Sequence, residues 1–344
     1  MRIALDAMGG DHAPTAPVEG AALFAAGAGP TGPDAQARVA LVGDPERLSR
    51  ELHRRPHPAD SIDIVPASQV VAMDESPVRA LRKKPDSSLA IAVDLVARNE
   101  ADGVVSAGNT GAFVALAASR LRLIEGVDRP AIATFLPSAH GHVILLDAGA
   151  NADCRPQVLR QFGLMGSAYA QYVLGRQSPR VALLSIGEEP TKGNEVTKAA
   201  HRLLENAPIN FVGNVEGNTI FRGEVDVAVC DGFVGNIALK VAEGVGTLVA
   251  KGLREQLMRN PLRKLGALLS RPAFEWLRKR TYYGEYGGAL LLGVNGVCLV
   301  CHGRSSGPAI AKAVQVAQEC ANNGIVEHIR RVCAQAGSDA SRQE

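Results

Sequence analysis

The chain has 344 residues, 46% of them hydrophobic, 21% charged and 4% aromatic, with a formal net charge of +2. This balance is too apolar for a disordered chain and too poor in aromatics for a sandwich or barrel built on Trp and Tyr pairs, and the length buries a core without staples. No uninterrupted run of about 18 apolar residues occurs, so no spanning helix is expected, and MRIALDAMGGD lacks the regions of a secretory signal, which leads us to expect a cytoplasmic protein.

From the N-terminus, short apolar runs alternate with helical patterns, which predicts parallel α/β architecture. RIALDA (2–7) reads as the first strand, followed by a helix over 15–27, a loop over 28–37, and strands at 38–43 and 62–66. Helices over 77–84 and 87–99 lead to a strand at 103–107 and a helix over 110–122. Strands at 131–136 and 142–148 precede a helix over 155–174, a strand at 180–186, a helix over 194–206, and strands at 209–213 and 225–230. A long helix follows over 233–259, then a strand or hairpin over 289–301, helices over 308–320 and 325–334, and a disordered tail over 335–344. Several strands are continuous apolar runs, as expected of a sheet covered on both faces. No internal repeat is visible. We expect one unit over 1–334, divisible into lobes of 1–122 plus 285–334 and 123–284.

The corners after the strands carry the chemistry. They are DAMGGD (6–11), SAGNTG (106–111), DAGAN (147–151), GEEPTKGNE (187–195), CDGFVGN (230–236) and HGRSSG (302–307). In a parallel sheet all strand C-termini share one edge, and ligands bind in the crevice there. Glycine lets backbone approach a ligand, and helix N-termini hold anions with free N–H groups. Asn109, Thr110, Lys192, Asn194, Asn236 and Lys240 add side-chain donors, the last two at i and i+4 on one helix face. The alternative is that these are ordinary capped βα corners, because caps favour the same residue types.

Other motifs are weaker. No G-x-G-x-x-G follows the first strand, and Lys192 precedes Gly193, which breaks the P-loop pattern. CLVCH (298–302) matches haem attachment, but residues three apart on a strand face opposite sides. GRSSG (303–307) resembles a nucleophile elbow; Glu319 followed by His328 preserves the required order, but both lie in the closing helices rather than after new strands. The six cysteines read as buried small hydrophobes. Residues 251–280 hold nine Lys and Arg against Glu255 and Glu275. Arg254, Leu257, Arg259, Arg263, Lys264 and Leu265 there make a basic, leucine-rich helical face, and Trp276 lies beside Arg278–Lys279–Arg280. Such a face suits an anionic membrane or an acidic partner, or else packs on the sheet or a dimer mate. It lacks the aromatic interleaving of a nucleic-acid surface.

Taken in order, DAMGGDHAP (6–14), SAGNTGA (106–112), LLDAGAN (145–151), SIGEEPTKGNE (185–195), GNVEGN (213–218), VCDGFVGNIALKVAEG (229–244) and EYGGALLLGVNG (285–296) resemble the bacterial phosphate acyltransferases of phospholipid synthesis, over about 1–330. Cys298 and Cys301 depart from that pattern. The resemblance implies a Rossmann-like α/β/α sandwich with a mostly parallel sheet, akin to isopropylmalate dehydrogenases, with a protruding helical segment. It implies conversion of acyl–acyl carrier protein and inorganic phosphate into acyl phosphate and free carrier, feeding a glycerol 3-phosphate acyltransferase. It also implies a homodimer, no cofactor or metal, and peripheral membrane contact.

On the residues themselves, positioned donors can desolvate and aim phosphate and stabilise an oxyanion. Lys192 and Asn194, with the 231–236 corner, are the expected phosphate holders. Lys240 shares that role or neutralises the oxyanion, Asp231 orients Lys192 or Asn236, and Asn109 and Thr110 line the opposite wall. Gly9, Gly10, Asp11, Ser106, Asp147, Asn151, Gly193, Gly232, Gly235, His302 and Ser305 complete the expected substrate contacts, with structural capping the alternative for Asp6, Asp11 and Asp147. Arg254, Arg259, Arg263 and Lys264 dock the carrier, the bilayer or both. The rival readings are an enzyme using acyl-CoA and a membrane-recruited scaffold without activity.

Overall fold

The computed structural model describes residues 1–28, 38–281 and 287–340, with side chains described except at 277–281 and 337–340. Most of the expected 28–37 loop, Glu285 and Tyr286 of the last motif, the side chains of Arg278–Lys279–Arg280 and tail residues 341–344 lie outside the described residues.

The strands are β1 (Arg2–Asp6), β2 (Arg38–Gly43), β3 (Ile62–Pro66), β4 (Gly103–Ser106), β5 (Ala131–Ser138), β6 (Gly141–Leu146), β7 (Val181–Leu184), β8 (Phe211–Val215), β9 (Val227–Val229), β10 (Ala289–Leu292) and β11 (Val297–Val300). The helices are α1 (Thr15–Leu23), α2 (Pro45–Leu52), α3 (Pro77–Lys83), α4 (Ser88–Ala97), α5 (Thr110–Arg120), α6 (Pro156–Tyr172), α7 (Glu195–Glu205), α8 (Gly232–Leu257), α9 (Pro261–Leu269), α10 (Arg271–Thr281), α11 (Gly307–Asn322) and α12 (Ile325–Ala340).

Two local readings need correction. Helix α2 is absent from the sequence expectation. Its signal is short: Asp44 accepts from the N–H groups of Glu46 and Arg47, and Pro45 opens the helix with its φ already helical. Helix α12 runs on to Ala340, past residue 334 and into the stretch expected to be a tail.

Among the described residues, 11 strands form one sheet in the order β3-β2-β1-β4-β11-β10-β5-β6-β9-β7-β8. Helices α1, α2, α6, α7, α11 and α12 bury their apolar residues on one face, and α3, α4 and α5 on the other. The architecture is therefore an α/β/α sandwich.

Pairing along the sheet divides its edges. Strands β1, β2, β3, β4 and β11 are parallel. The contacts β11–β10, β10–β5 and β5–β6 are antiparallel. Strands β6, β9, β7 and β8 are parallel again. Three reversals make the second set point opposite to the first. The corners after β1, β4 and β11 therefore lie on one rim, and those after β6, β7 and β9 on the other. The expectation of one shared rim is wrong, because short hairpins in mid-sheet reverse the chain where a helical crossover would have kept its direction.

Helix α8 bridges the two rims. It starts after β9, where Asp231 caps it by accepting from the Val234 N–H at 2.8 Å. Only Gly232 and Gly235 of its 26 residues are buried. Averaged over a window, its hydropathy reaches 1.4, so by length and composition it could cross a membrane, although no uninterrupted apolar run does. Its first turns pack on β5 and β6, which fixes that half to the protein body. Beyond them, Leu248 (71% exposed), Leu262 (79%), Leu269 (76%) and Trp276 (60%) project into solvent on an arm of α8, α9 and α10.

Candidate active site

The second-rim corner is organised by Asp147. Its carboxylate is fully buried. One oxygen accepts from the N–H groups of Ile132, Gly149 and Ala150 at 2.9, 3.1 and 3.0 Å. The other accepts from the Asn151 N–H at 2.7 Å and its amide at 2.9 Å. Burial pushes this carboxyl upward while these donors pull it down. Asn151 also donates to the Pro130 carbonyl at 2.7 Å, and its own carbonyl accepts from Gly232 at 2.7 Å. A Cβ at Gly232 would lie 2.6 Å from the Asn151 carbonyl oxygen and 2.7 Å from Asp147 Oδ2. The bare backbone of Gly232 and Gly235 thus serves close approach of α8 to the DAGAN corner.

Two strands along the same rim, Asn194 caps α7 by accepting from the Thr197 N–H at 2.8 Å. Gly193 adopts φ +101°, which glycine tolerates best. Lys192 is exposed, and its chain lies over Gly187. A buried link steadies this corner: Asn214 donates to the Glu189 carbonyl at 2.9 Å and meets His201 Nδ1 at 2.8 Å.

On the first rim, Asp6 is buried and accepts from Ser106 Oγ at 2.7 Å, and that hydroxyl in turn accepts from the Gly108 N–H at 3.0 Å. Burial pushes the Asp6 carboxyl up. Asn109 caps α5 through the Ala112 N–H at 2.9 Å, and its amide ties down the carbonyls of Met73 and Glu75, each at 2.9 Å. Gly10 takes φ +99°, and the next residue, Asp11, donates its N–H to the Gly303 carbonyl at 2.8 Å. That bond ties the DAMGGD corner to the HGRSSG corner. Asp6, Ser106, Asn109, Asp147 and Asn151 are therefore spent on holding backbone. Asp11 stays half exposed, facing Arg304 at 3.8 Å.

A groove of about 300 Å³ joins the rims along α8. Asn236, Leu239, Lys240 and Glu243 form its α8 wall. Thr110 at the start of α5, with His302 and Ser305, forms the opposite polar wall. Ile132, Thr134, Phe135, Ala148, Ala289 and Val300 make an apolar floor. An adjoining recess of about 560 Å³ shares Thr110, Lys240, Glu243 and His302 and adds Asp11, Gly303 and Arg304. Lys240 Nζ lies 2.9 Å from Glu243 Oε2. His302 Nδ1 accepts from the Arg304 N–H at 3.2 Å.

Of the residues singled out in the sequence, Asn236, Lys240, Thr110, His302, Ser305 and Asp11 come together here. Lys192, Gly193, Asn194, Asp231, Gly232 and Gly235 build the second-rim corners, and Gly9, Gly10, Ser106, Asn109, Asp147 and Asn151 hold the backbone around the groove. Sequence reasoning missed Glu243 and Arg304. Helical spacing carried the signal for Glu243, which follows Asn236 and Lys240 on the same face. Arg304 stood within a corner already marked.

Two rival chemistries lose their geometry. Glu319 accepts from the Gln315 amide at 2.9 Å, and His328 stacks on Tyr172 with ring centroids 3.5 Å apart. Neither lines the groove that holds Ser305. Cys298 packs in one core face and Cys301 in the other, as strand alternation requires. Cys301 borders the groove, but burial pushes its thiol up to about 12, so it is a poor nucleophile.

Residues 1–328 match a family model described as fatty acid synthesis protein. The chain is 49% identical over 330 residues to a phosphate acyltransferase of Pelotomaculum thermopropionicum, covering 96% of this chain and 94% of that one. Its fold is similar to a phosphotransacetylase from Streptococcus pyogenes, with a TM-score of 0.62 at 17% identity, covering 93% and 94% of the two chains. It is also similar to a 4-hydroxythreonine-4-phosphate dehydrogenase from Klebsiella pneumoniae, with a TM-score of 0.50 at 14% identity and coverage of 97% and 99%.

Proposed function

The chain belongs to the fatty acid synthesis protein family, which has phosphate acyltransferases among its members, and from that premise we propose that it transfers an acyl group from acyl carrier protein to inorganic phosphate in this groove. The observation that carries the reading is one cavity with a lysine, a histidine and a helix N-terminus at its mouth and an apolar floor behind them. Phosphate is well hydrated and a weak nucleophile. The first-turn N–H groups of α5 at Thr110, with His302 and Lys240, replace its water and aim it. The acyl chain lies over Ile132, Ala148 and Leu239. A phosphate oxygen attacks the thioester carbonyl carbon, and the carbonyl oxygen takes up negative charge. Lys240 and the Asn236 amide stabilise that oxyanion. The C–S bond then breaks. A thiolate of ordinary pKa about 8.5 leaves without strong acid assistance. Lys192, which stands on the second rim outside the groove's lining, is assigned to the incoming phosphate, and Asn194 and Asp231 cap the helices at the corners beside it.

The products are acyl phosphate, which suits a downstream glycerol 3-phosphate acyltransferase, and free carrier. The test is purified protein with acyl carrier thioester, with and without phosphate, and with acyl-CoA as the competing donor. Acyl phosphate trapped by hydroxylamine only when phosphate is present is the expected result. Folded Lys192→Ala and Asn236→Ala proteins should lose on the order of 100-fold in rate. Near-normal rates would remove those two residues from the site. No phosphate-dependent product at all would leave a scaffold role.

The arm has its own role in this proposal. An exposed apolar surface as long as α8 to α10 needs a cover. We assign that cover to a second copy of the chain along α8, giving a homodimer. At the arm's tip, Leu262, Leu265 and Leu269, with Arg254, Arg259, Arg263 and Lys264, meet the anionic lipids of the cytoplasmic face, and the same cations attract the acidic carrier. Binding to phosphatidylglycerol vesicles should weaken in high salt and fall further in Leu265→Glu. Vesicle binding unchanged by both would leave protein packing as the arm's purpose.

A further inference from the structure

The mouth of the groove poses a charge problem. Its described cations are Lys240 and Arg304, and each faces a carboxylate: Glu243 at 2.9 Å and Asp11 at 3.8 Å. All four side chains border the outer recess. Their formal charges cancel, which is a poor arrangement for an anion held by charge alone. Glu243 is also the more enclosed of its pair, with its side chain 27% exposed against 52% for Lys240. An anion that reaches Lys240 therefore meets a carboxylate. An ionised carboxylate only accepts hydrogen bonds. It is neutral in effect toward an oxyanion that carries an O–H, and repulsive toward one that does not.

We propose that Glu243 is a specificity-determining residue that accepts a hydrogen bond from the O–H of inorganic phosphate, while Lys240 binds the charged oxygens, so that the site takes protonated oxyanions and rejects fully deprotonated ones. Both forms of phosphate present near neutral pH keep at least one O–H; sulfate, of nearly the same size and shape, keeps none. The surface ion pair itself adds little to stability, so its value lies in this discrimination. A site with a fixed acceptor rejects an analogue lacking the donor, since the acceptor is then left unpaired against negative charge. The inference rests on the groove being the phosphate site.

The experiment uses the full chain with acyl carrier thioester and hydroxylamine trapping, and sulfate is added against chloride at matched ionic strength. In the wild type, sulfate should inhibit no more than chloride does. Glu243→Gln replaces one acceptor oxygen with a donor amide. It should become competitively inhibited by sulfate, and the ratio of the sulfate inhibition constant to the phosphate KM should fall on the order of 100-fold. Glu243→Asp keeps the acceptor and should keep most of the discrimination. Thermal-shift titrations of the wild type with phosphate and with sulfate should show the same preference without any substitution. An unchanged ratio in Glu243→Gln, or a wild type that binds sulfate as well as phosphate, overturns the assignment. Wild-type turnover that ignores phosphate would instead remove the acyl-transfer reading on which the inference stands.

Discussion

Lys240→Met protein is expected to form acyl phosphate roughly 10²–10³ times more slowly than wild type, the usual loss when one preorganised group facing developing charge is removed. Lys240 is the groove lysine that borders both recesses from α8. Methionine keeps the apolar stem and lacks only the ammonium end, so packing along α8 changes little. The substitution also leaves the Glu243 carboxylate at the mouth without its cation, 2.9 Å from where Nζ stood. The kinetic split assigns the role. A rise in phosphate KM with kcat preserved places Lys240 on bound phosphate, and an equal fall in kcat and kcat/KM places it on the oxyanion. Lys240→Arg should recover part of the rate. A folded Lys240→Met enzyme within a few-fold of wild type would move the chemistry out of this groove.

Gly235→Ala is expected to destabilise the protein by about 3 kcal/mol, the scale of forced overpacking in a tight site, and to lower Tm by about 4 °C. A methyl group there would overlap the Asp147 carbonyl oxygen and stand 2.9 Å from Cys230 Sγ. Neither can yield easily. Asp147 is held by the backbone N–H groups of Ile132, Gly149, Ala150 and Asn151, and Cys230 is buried at the end of β9. The movement therefore falls on α8. Asn236 is the next residue and Lys240 follows one turn later, so activity should fall more than stability alone explains. Gly217, with open space around its α-carbon, is the control. Gly217→Ala should stay within about 0.5 kcal/mol of wild type. Differential scanning calorimetry with matched activity assays decides the point, and equal melting of Gly235→Ala and Gly217→Ala would refute the packing argument.

Elements were legible where the local pattern was strong. RVALVG (38–43) became β2 at its full expected length, and the long apolar pattern after Asp231 became α8. Helix α2 was not, because it is short and its apolar signal is little more than Leu48 and Leu52. The corner glycines were found, but their purpose was read as ligand approach. At Gly232 and Gly235 the close neighbour is the chain's own DAGAN corner. Asn109 and Asp147 show the same ambiguity, since a side chain that caps backbone and one that binds an anion have identical composition in sequence.

The amino-acid sequence by itself determined the α/β class, most of the strand and helix succession, the set of glycine-rich corners and the helical face carrying Asn236 and Lys240. Each of these depends on residues near one another in the chain: side-chain period, caps and turn chemistry. Only the tertiary structure decided that the corners divide between two rims, that α8 carries donors from one rim to the other, and that Glu243 and Arg304 stand at the mouth. Those facts depend on which strands pair and in which direction. Strand direction is fixed by hairpins and crossovers acting across the whole sheet, and no local window of sequence contains that sum.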